Sequence, residues 1–439
     1  MKAIGIDIGT TTISAVVLDD VQEKVLDART IENGSFIHTE HEWERIQDVD
    51  IIIEKAKNVL DELLQLHPDA AAIGLTGQMH GILYVDSQGK CCSPLYTWQD
   101  QRGNLTQFDG LSLVEWIRQQ SGAQVFTGYG LVTYLYQCKK GLLPEKGVSF
   151  CTISDYLGMV MTGRKEPLLH ISMASSLGFF DGRKKEFQKD KLNRLGMHTD
   201  VLPKVSDAFS VIGTYQGRPV TIAIGDNQAS FLGAVGFQKN TVLLNVGTGA
   251  QVSVMSDRFF ETDGIEARPL TEDKFLLAGS SLCGGRAYAI LENFFRSYMV
   301  AAGFEDTAQY DIMEKLAGKG IKMQDGMVVT TTFNGTRTDP ALRGSIGNIS
   351  KDNFTPQSLI YGVLRGIAGE LYDMFEVIQK HTGIKADELI ASGNGVRKNT
   401  VLQYIFEEMF GASLHLAKYK EEAASGAAIS SLYKRKRAE

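Results

Sequence analysis

The sequence predicts an α/β protein built from two related domains, and three observations carry that expectation. The chain has 439 residues, more than one hydrophobic core serves, so roughly two or three domains are expected. A strand–turn–strand plan at the N-terminus recurs about half a chain later. Around both copies, helical periodicity alternates with short apolar strands, the pattern of sheets covered by helices.

Taken in order, Ala3–Ile8 is apolar and rich in isoleucine, Gly9-Thr-Thr-Thr12 reads as a turn, and Ile13–Leu18 is again strand-like, which together make a β-hairpin. Thr241–Val254 repeats the plan, with Asn245-Val-Gly-Thr248 standing where Asp7-Ile-Gly-Thr10 stands in the first copy. The separation far exceeds solenoid periods of ~20–50 residues, so it indicates two domains that each open on a hairpin, with a cleft expected between them. Between the hairpins, Trp43–Leu66 places Ile46, Ile53, Val59, Leu60, Leu63 and Leu64 on one helical face, and Ala71–Leu75 reads as the next strand. The second half predicts a long helix near Gln357–His381, a strand at Glu388–Ala391 and a final helix from Glu421, whose Ala423-Ala-Ser-Gly-Ala-Ala428 run permits close backbone approach. Gly217 and Pro219 break the pattern within Tyr215–Thr221, which sets the expected domains at 1–217 and 218–439.

With 43% hydrophobic and 22% charged residues the chain reads as globular, neither fibrous nor disordered. Its net charge of −7 leaves no broad basic footprint, so nucleic acid is not expected as a partner. The Lys434–Arg437 run reads as cations that suit a helix C-terminus. Cys91, Cys92, Cys138, Cys151 and Cys283 form an odd set without CxxC spacing, which speaks against a disulfide framework and a zinc knuckle alike. Lys2–Asp7 begins a strand at once, and no apolar run approaches the ~20 residues of a membrane helix. The expectation is a cytoplasmic protein with no membrane partner, as monomer or homodimer. His38 and His41 have no accompanying HExxH or carboxylate cluster and read as a surface pair, with no structural metal expected.

Neither a GxxxxGK[ST] loop nor a complete GxGxxG fingerprint occurs, so phosphate has to be held in another way. A turn of glycine and threonine offers backbone N–H groups, hydroxyl donors and little bulk, all suited to phosphate oxygens. Gly9, Thr10, Thr11 and Thr12 in the first copy, and Gly247, Thr248 and Gly249 in the second, are candidates on that ground; alone, each turn is also ordinary hairpin chemistry. Asp7 ends the first strand beside its turn, where a carboxylate can hold Mg²⁺ or simply cap a backbone group. Asp226 follows the apolar strand Val220–Ile224 after Gly225, which places it at a sheet edge, either facing a crevice or capping the next helix.

These residues resemble the FGGY carbohydrate kinases along the whole chain. The likeness rests on Gly5-Ile-Asp-Ile-Gly-Thr-Thr11, Gly77-Gln-Met-His-Gly81, Trp98-Gln-Asp-Gln-Arg102, Ile224-Gly-Asp-Asn-Gln-Ala229, Asn245-Val-Gly-Thr-Gly249, Leu342-Arg-Gly344 and Ser392-Gly-Asn-Gly395 through Asn399, in family order. The resemblance implies an RNase H-like, actin-like ATPase fold in both domains, ATP and Mg²⁺ as cosubstrates, and Asp226 as catalytic base. It further implies that Gln78, Met79, His80, Trp98, Asp100, Arg102 and Asn227 form the sugar side, and that Gly395, Val396 and Asn399 belong to the adenosine loop. Asn394 departs from the family there, standing where many relatives have glycine. The residue types agree with a sugar ligand: His, Asp, Arg and Asn supply donors and acceptors to neighbouring hydroxyls, and Trp offers a flat apolar face.

The expected activity is transfer of the ATP γ-phosphoryl group to a hydroxyl of a ketose. Phe126-Thr-Gly-Tyr-Gly130, Asn245 and Gln251 resemble the relatives that act on sedoheptulose, so the resemblance implies sedoheptulose ahead of xylulose, with other sugars and sugar acids as alternatives. The alternatives outside enzymes are an actin-like ATPase and a sugar-sensing regulator, and sugar-dependent ATP turnover separates both from a kinase.

Overall fold

The computed structural model describes residues 1–320, 326–336 and 339–436, with side chains to 433; Arg437, the end of the basic run, lies outside the described residues. The chain forms two compact units. The first comprises Met1–Gly236, Arg268–Asp273 and the segment from Tyr419 onward, and the second comprises Phe237–Ala267 and Lys274–Lys418. The expected cut at 217/218 differs from this partition in three ways: the first unit continues to Gly236, it takes in Arg268–Asp273, and the C-terminal helix belongs to it.

In the first unit, β1 (Lys2–Ile8) and β2 (Thr12–Asp19) form the expected hairpin, closed by the pair Ile8 and Ile13. With β3 (Lys24–Glu32), β4 (Ile73–Gly77), β5 (Val211–Tyr215) and β6 (Arg218–Thr221) they make a sheet of order β5-β6-β4-β1-β2-β3. β7 (Ile224–Gly225) pairs in parallel with the end of β4. The run expected as one strand at Val220–Ile224 is thus divided between β6 and β7, both lying against β4.

Side chains of a strand alternate between faces, and β1 is buried on both. Ile4, Ile6 and Ile8 face α1 (Val49–Leu66), where Ile52, Leu60 and Leu63 are fully buried. Burying each such side chain contributes roughly 1.5–3 kcal/mol. The helix starts six residues later than the Trp43 of its sequence pattern, because Ile46–Gln47 pair with Leu95–Tyr96 and the Asp48 side chain accepts from the N–H groups of Asp50 and Ile51. The other face carries Ala3, packed with Ala72, Ala428 and Leu432. There the C-terminal helix α9 (Glu422–Lys436) lies at backbone contact: a Cβ on Gly5 would overlap the Ala424 carbonyl, and one on Gly74 the Ala427 carbonyl.

The second unit repeats the scheme. β8 (Thr241–Val246) and β9 (Ala250–Ser256) form the second hairpin, with β10 (Ile265–Pro269), β11 (Phe275–Ser281), β12 (Glu388–Ser392) and β13 (Leu414–Leu416) in the order β10-β11-β9-β8-β12-β13. β8 pairs antiparallel with β9 and parallel with β12, as β1 does with β2 and β4. The long helix, here α6 (Pro356–Thr382), buries Leu364, Ile367 and Leu371 in this core. Among the described residues, no helix is long and apolar enough to cross a membrane, and the five cysteines are unpaired.

Candidate active site

Asp226 sits where β7 turns into α3 (Asp226–Ala234). The N-cap position is taken by Gly225, so Asp226 begins the helix without capping it. Gly225 has an ordinary extended backbone, φ −61° and ψ 145°, so its need is for space: a Cβ there would come within 2.7 Å of Met79 Sδ. The strand end is anchored on both sides, since Thr76 Oγ1 donates to the Ile224 carbonyl at 2.7 Å and the Gly225 N–H donates to Ser172 Oγ at 2.9 Å. Ser172 in turn lies 2.8 Å from Nδ1 of buried His170, an imidazole whose pKa burial pushes down to about 3.

The Asp226 carboxyl is only partly exposed, and desolvation raises it above the usual carboxylate range. Hydrogen bonds from Asn227 and the Met79 backbone, with the charge of Arg268, pull the other way. Asn227 Nδ2 donates to Asp226 Oδ1 at 2.9 Å, and Arg268 Nη1 donates to Asn227 Oδ1 at 3.0 Å. Arg268 arrives on the short segment Arg268–Asp273, and no local motif marks it. Asp7 is pushed up to about 7 by burial and by the negative charges of Asp226 and Glu421, and its Oδ1 is buried without a hydrogen-bond partner.

On the expected sugar side the structure separates two groups of residues. His80 adopts a left-handed backbone, φ 73°, uncommon for a residue with a side chain and often found at functional sites. Its ring stacks on Tyr129 with centroids 4.7 Å apart, and its Nδ1 lies 2.7 Å from the Ser176 carbonyl. A carbonyl only accepts, so Nδ1 carries a proton. Met79 is buried beside Asn227, whose Nδ2 lies 3.8 Å from its sulfur. Asp100 and Arg102 are buried and engage each other, Arg102 Nε to Asp100 Oδ1 at 2.6 Å and Nη2 to Oδ2 at 2.9 Å. The guanidinium also lies 4.6 Å over the Tyr96 ring. This pair braces its loop from within, and Arg102 Nη2 also donates to Glu44 Oε1 at 3.3 Å. Trp98 stays 46% exposed, and its indole N–H donates to Thr10 Oγ1 at 2.9 Å. Thr10 Oγ1 donates onward to Gln78 Oε1 at 3.2 Å, so its hydroxyl proton is engaged within the protein. Thr11 and Thr12 are exposed.

In the second unit, Gly247 and Thr248 border a cavity of about 890 Å³ together with Gly393, Asn394, Gly395, Lys398 and Asn399. Asn394 opens the short helix α7 (Asn394–Arg397) in helical geometry, and the left-handed angle falls on Gly393, φ 86°. A Cβ on Gly395 would press on Val246 at 2.8 Å. Gly249 lies behind the turn, where a Cβ would meet the Ser281 carbonyl at 2.8 Å. Val396 is fully buried in the core, and Asn399 caps α8 (Thr400–Phe410) by accepting from the Leu402 N–H at 2.9 Å. Three contributors carry no sequence motif: Arg286 at the start of α4 (Gly285–Ala301), and the stacked rings of Tyr288 and Tyr310, 5.9 Å apart, the latter opening α5 (Tyr310–Gly320).

The family model for the N-terminal domain of FGGY carbohydrate kinases matches residues 2–242, and that for the C-terminal domain matches residues 242–434. The chain belongs to the FGGY family of carbohydrate kinases, and its activity class is ATP-dependent phosphorylation of a small carbohydrate. It is similar to mouse sedoheptulokinase, at 26% identity over 97% of this chain and 96% of that protein. The xylulose kinase of Rhodospirillum rubrum shares the fold, with a TM-score of 0.82 at 19% identity over 99% of this chain and 90% of that one. So does Plasmodium falciparum glycerol kinase with ADP, with a TM-score of 0.79 at 17% identity over 99% and 90%. These matches place both sheets in the expected actin-like architecture.

Proposed function

We propose that this chain phosphorylates sedoheptulose, with Asp226 as the general base. The observation that carries the catalytic assignment is that Asp226 begins a helix without capping it, while Asn227 and the Met79 backbone hold its carboxylate. A carboxylate so held can accept the proton of a sugar hydroxyl as that oxygen attacks phosphorus. His80 hydrogen-bonds another hydroxyl, Trp98 offers its exposed face to the C–H bonds, and Asn227 completes the polar side. Gln78, Asp100 and Arg102 act from behind by fixing that wall.

The nucleotide is assigned to the turns Gly9–Thr12 and Gly247–Gly249 and to the cavity of the second unit, with Gly395 and Asn399 at its wall and Val396 supporting the loop from the core. Asp7 is the proposed holder of Mg²⁺. Its unpartnered buried oxygen, crowded by two other carboxylates, fits a divalent cation. Among the described residues no group of three or more His, Cys, Asp or Glu side chains forms a metal site by itself, so phosphate oxygens and water would complete the coordination. When bound, the ion offsets charge on the phosphates.

Support for sedoheptulose comes from the end-to-end match to the mouse enzyme, and the test is direct. Across sedoheptulose, xylulose, glycerol and gluconate, kcat/KM is expected to be highest for sedoheptulose, and a higher value for any other overturns the substrate assignment. Loss of the His80 contact in His80→Ala should lower kcat/KM by roughly tenfold to a hundredfold, the equivalent of ~1–3 kcal/mol.

Gly247→Val tests the nucleotide assignment. A Cβ at Gly247 meets nothing within 4 Å, so the variant folds, and valine occupies space assigned to phosphate. ATP affinity by calorimetry should fall roughly tenfold to a hundredfold, as for overpacking by ~1–3 kcal/mol. An unchanged value removes this turn from the site.

A further inference from the structure

The turn between β1 and β2 is backed by two buried amides that no motif marks. Asn33, fully buried, donates Nδ2 to the Gly9 carbonyl at 2.8 Å, and its backbone N–H donates to the Thr11 carbonyl at 2.8 Å. Ser35 Oγ donates to Asn33 Oδ1 at 2.6 Å, which fixes the end of the amide that faces Gly9. Gln47, also fully buried, donates Nε2 to the Thr10 carbonyl at 2.9 Å and accepts from Gln78 Nε2 at 2.9 Å. Three consecutive carbonyl oxygens are thereby drawn inward. Among the described residues, the N–H groups of Gly9, Thr10 and Thr11 have no hydrogen-bond acceptor.

The direction of these dipoles matters for an anion. A turn whose carbonyls faced outward would repel phosphate oxygens, whereas one with carbonyls held inward presents its N–H groups. In the second hairpin turn carbonyls are also held, by different means: those of Gly247 and Thr248 accept from the N–H groups of Gly285 at 2.8 Å and Arg286 at 3.0 Å, at the start of α4, while the Gly247 N–H donates to the Gly249 carbonyl at 3.0 Å. Both hairpins thus have turn carbonyls held by donors from elsewhere in the chain. In the first unit the device reaches further, because Gln47 closes a ring with Gln78 and Thr10, and Trp98 donates into that ring.

We propose that Asn33 and Gln47 are positioning residues for the phosphate-binding turn, and that Gln47 also ties this turn to the sugar-binding wall. The proposal rests on reading Gly9–Thr12 as a phosphate site. Its signature is a split between the two residues. Asn33→Leu and Gln47→Met remove the amides and keep side chains of similar shape, and each should raise the KM for MgATP about tenfold or more through misdirection of the turn. Gln47→Met should raise the KM for sedoheptulose, or for whichever sugar of the panel above has the highest kcat/KM, by a similar factor. Asn33→Leu should leave it within twofold.

If an apolar replacement unfolds the chain, Asn33→Ser and Gln47→Asn keep polarity, shorten the reach and should show the same split. Folded variants with a KM for ATP within twofold of the parent overturn the proposal. So does an equal rise in both constants for both variants, which is what general loosening would produce. Gly9→Val distinguishes the two levels of the argument. If it leaves ATP binding unchanged, the turn is not a phosphate site and the proposal falls with it; if it abolishes binding while the Asn33 and Gln47 variants bind normally, the positioning role alone is wrong.

Discussion

Asp226→Asn is expected to lower kcat by roughly two to four orders of magnitude while sugar and ATP affinities stay within a fewfold. The substitution keeps the shape and removes the base. Asn227 donates Nδ2 to Oδ1 of the carboxylate at 2.9 Å, and the carboxamide oxygen of the variant can accept that bond in the same place, so the site keeps its form. The elevated pKa of Asp226 agrees with the role, because a base desolvated in this way holds the proton it takes more tightly than an ordinary aspartate would. Single-turnover phosphoryl transfer with both ligands saturating is the measurement that isolates the step. Near-parental turnover in a variant that binds both ligands moves the catalytic assignment elsewhere.

Gly74→Val is expected to destabilise the first unit by about 3 kcal/mol or more, the upper range for forced overpacking. The added Cβ would overlap the Ala427 carbonyl of α9, and backbone of a packed helix cannot rotate aside. Gly426 meets the Ala229 carbonyl of α3 in the same way, so Gly426→Val should have a comparable effect from the other side of the contact. Urea unfolding reads the change as a lower midpoint. A midpoint equal to the parent's for both variants would mean that α9 does not dock on β4.

Much of this architecture was legible in the chain. Both hairpins, the long α6, the strand β12 and the final small-residue helix lie within a few residues of their sequence patterns, because period-two and period-3.6 hydrophobicity are local signals. The helix expected from Trp43 begins at Val49, since pairing of Ile46–Gln47 with Leu95–Tyr96 overrides its amphipathic pattern. The partition of the chain was not legible, because what assigns α9 to the first unit is a groove over Gly5 and Gly74, whose depth depends on residues distant in sequence. The same reason hid Arg268, which reaches Asn227 across 41 residues, and Gln47, which reaches Gln78 across 31. A buried long-range hydrogen bond leaves no periodic trace. Asp226 was visible as a strand-end carboxylate, yet only the cap geometry at Gly225 separates a helix cap from a residue held for another purpose.

The backbone contact between α9 and the first sheet also bears on how the chain is made. Strands β1 and β4 emerge early from the ribosome, but the helix that covers one of their faces is translated more than three hundred residues after β4. At roughly 5–20 residues per second this interval lasts from about fifteen seconds to over a minute. Through that time the strip formed by Ala3, Gly5, Ala72 and Gly74 has no partner from its own chain, and its glycines leave the backbone accessible. The second unit, contained between Phe237 and Lys418, is complete before the first can close. The N-terminal half therefore matures last, and a chaperone that shields an incomplete sheet would find its longest-lived substrate there.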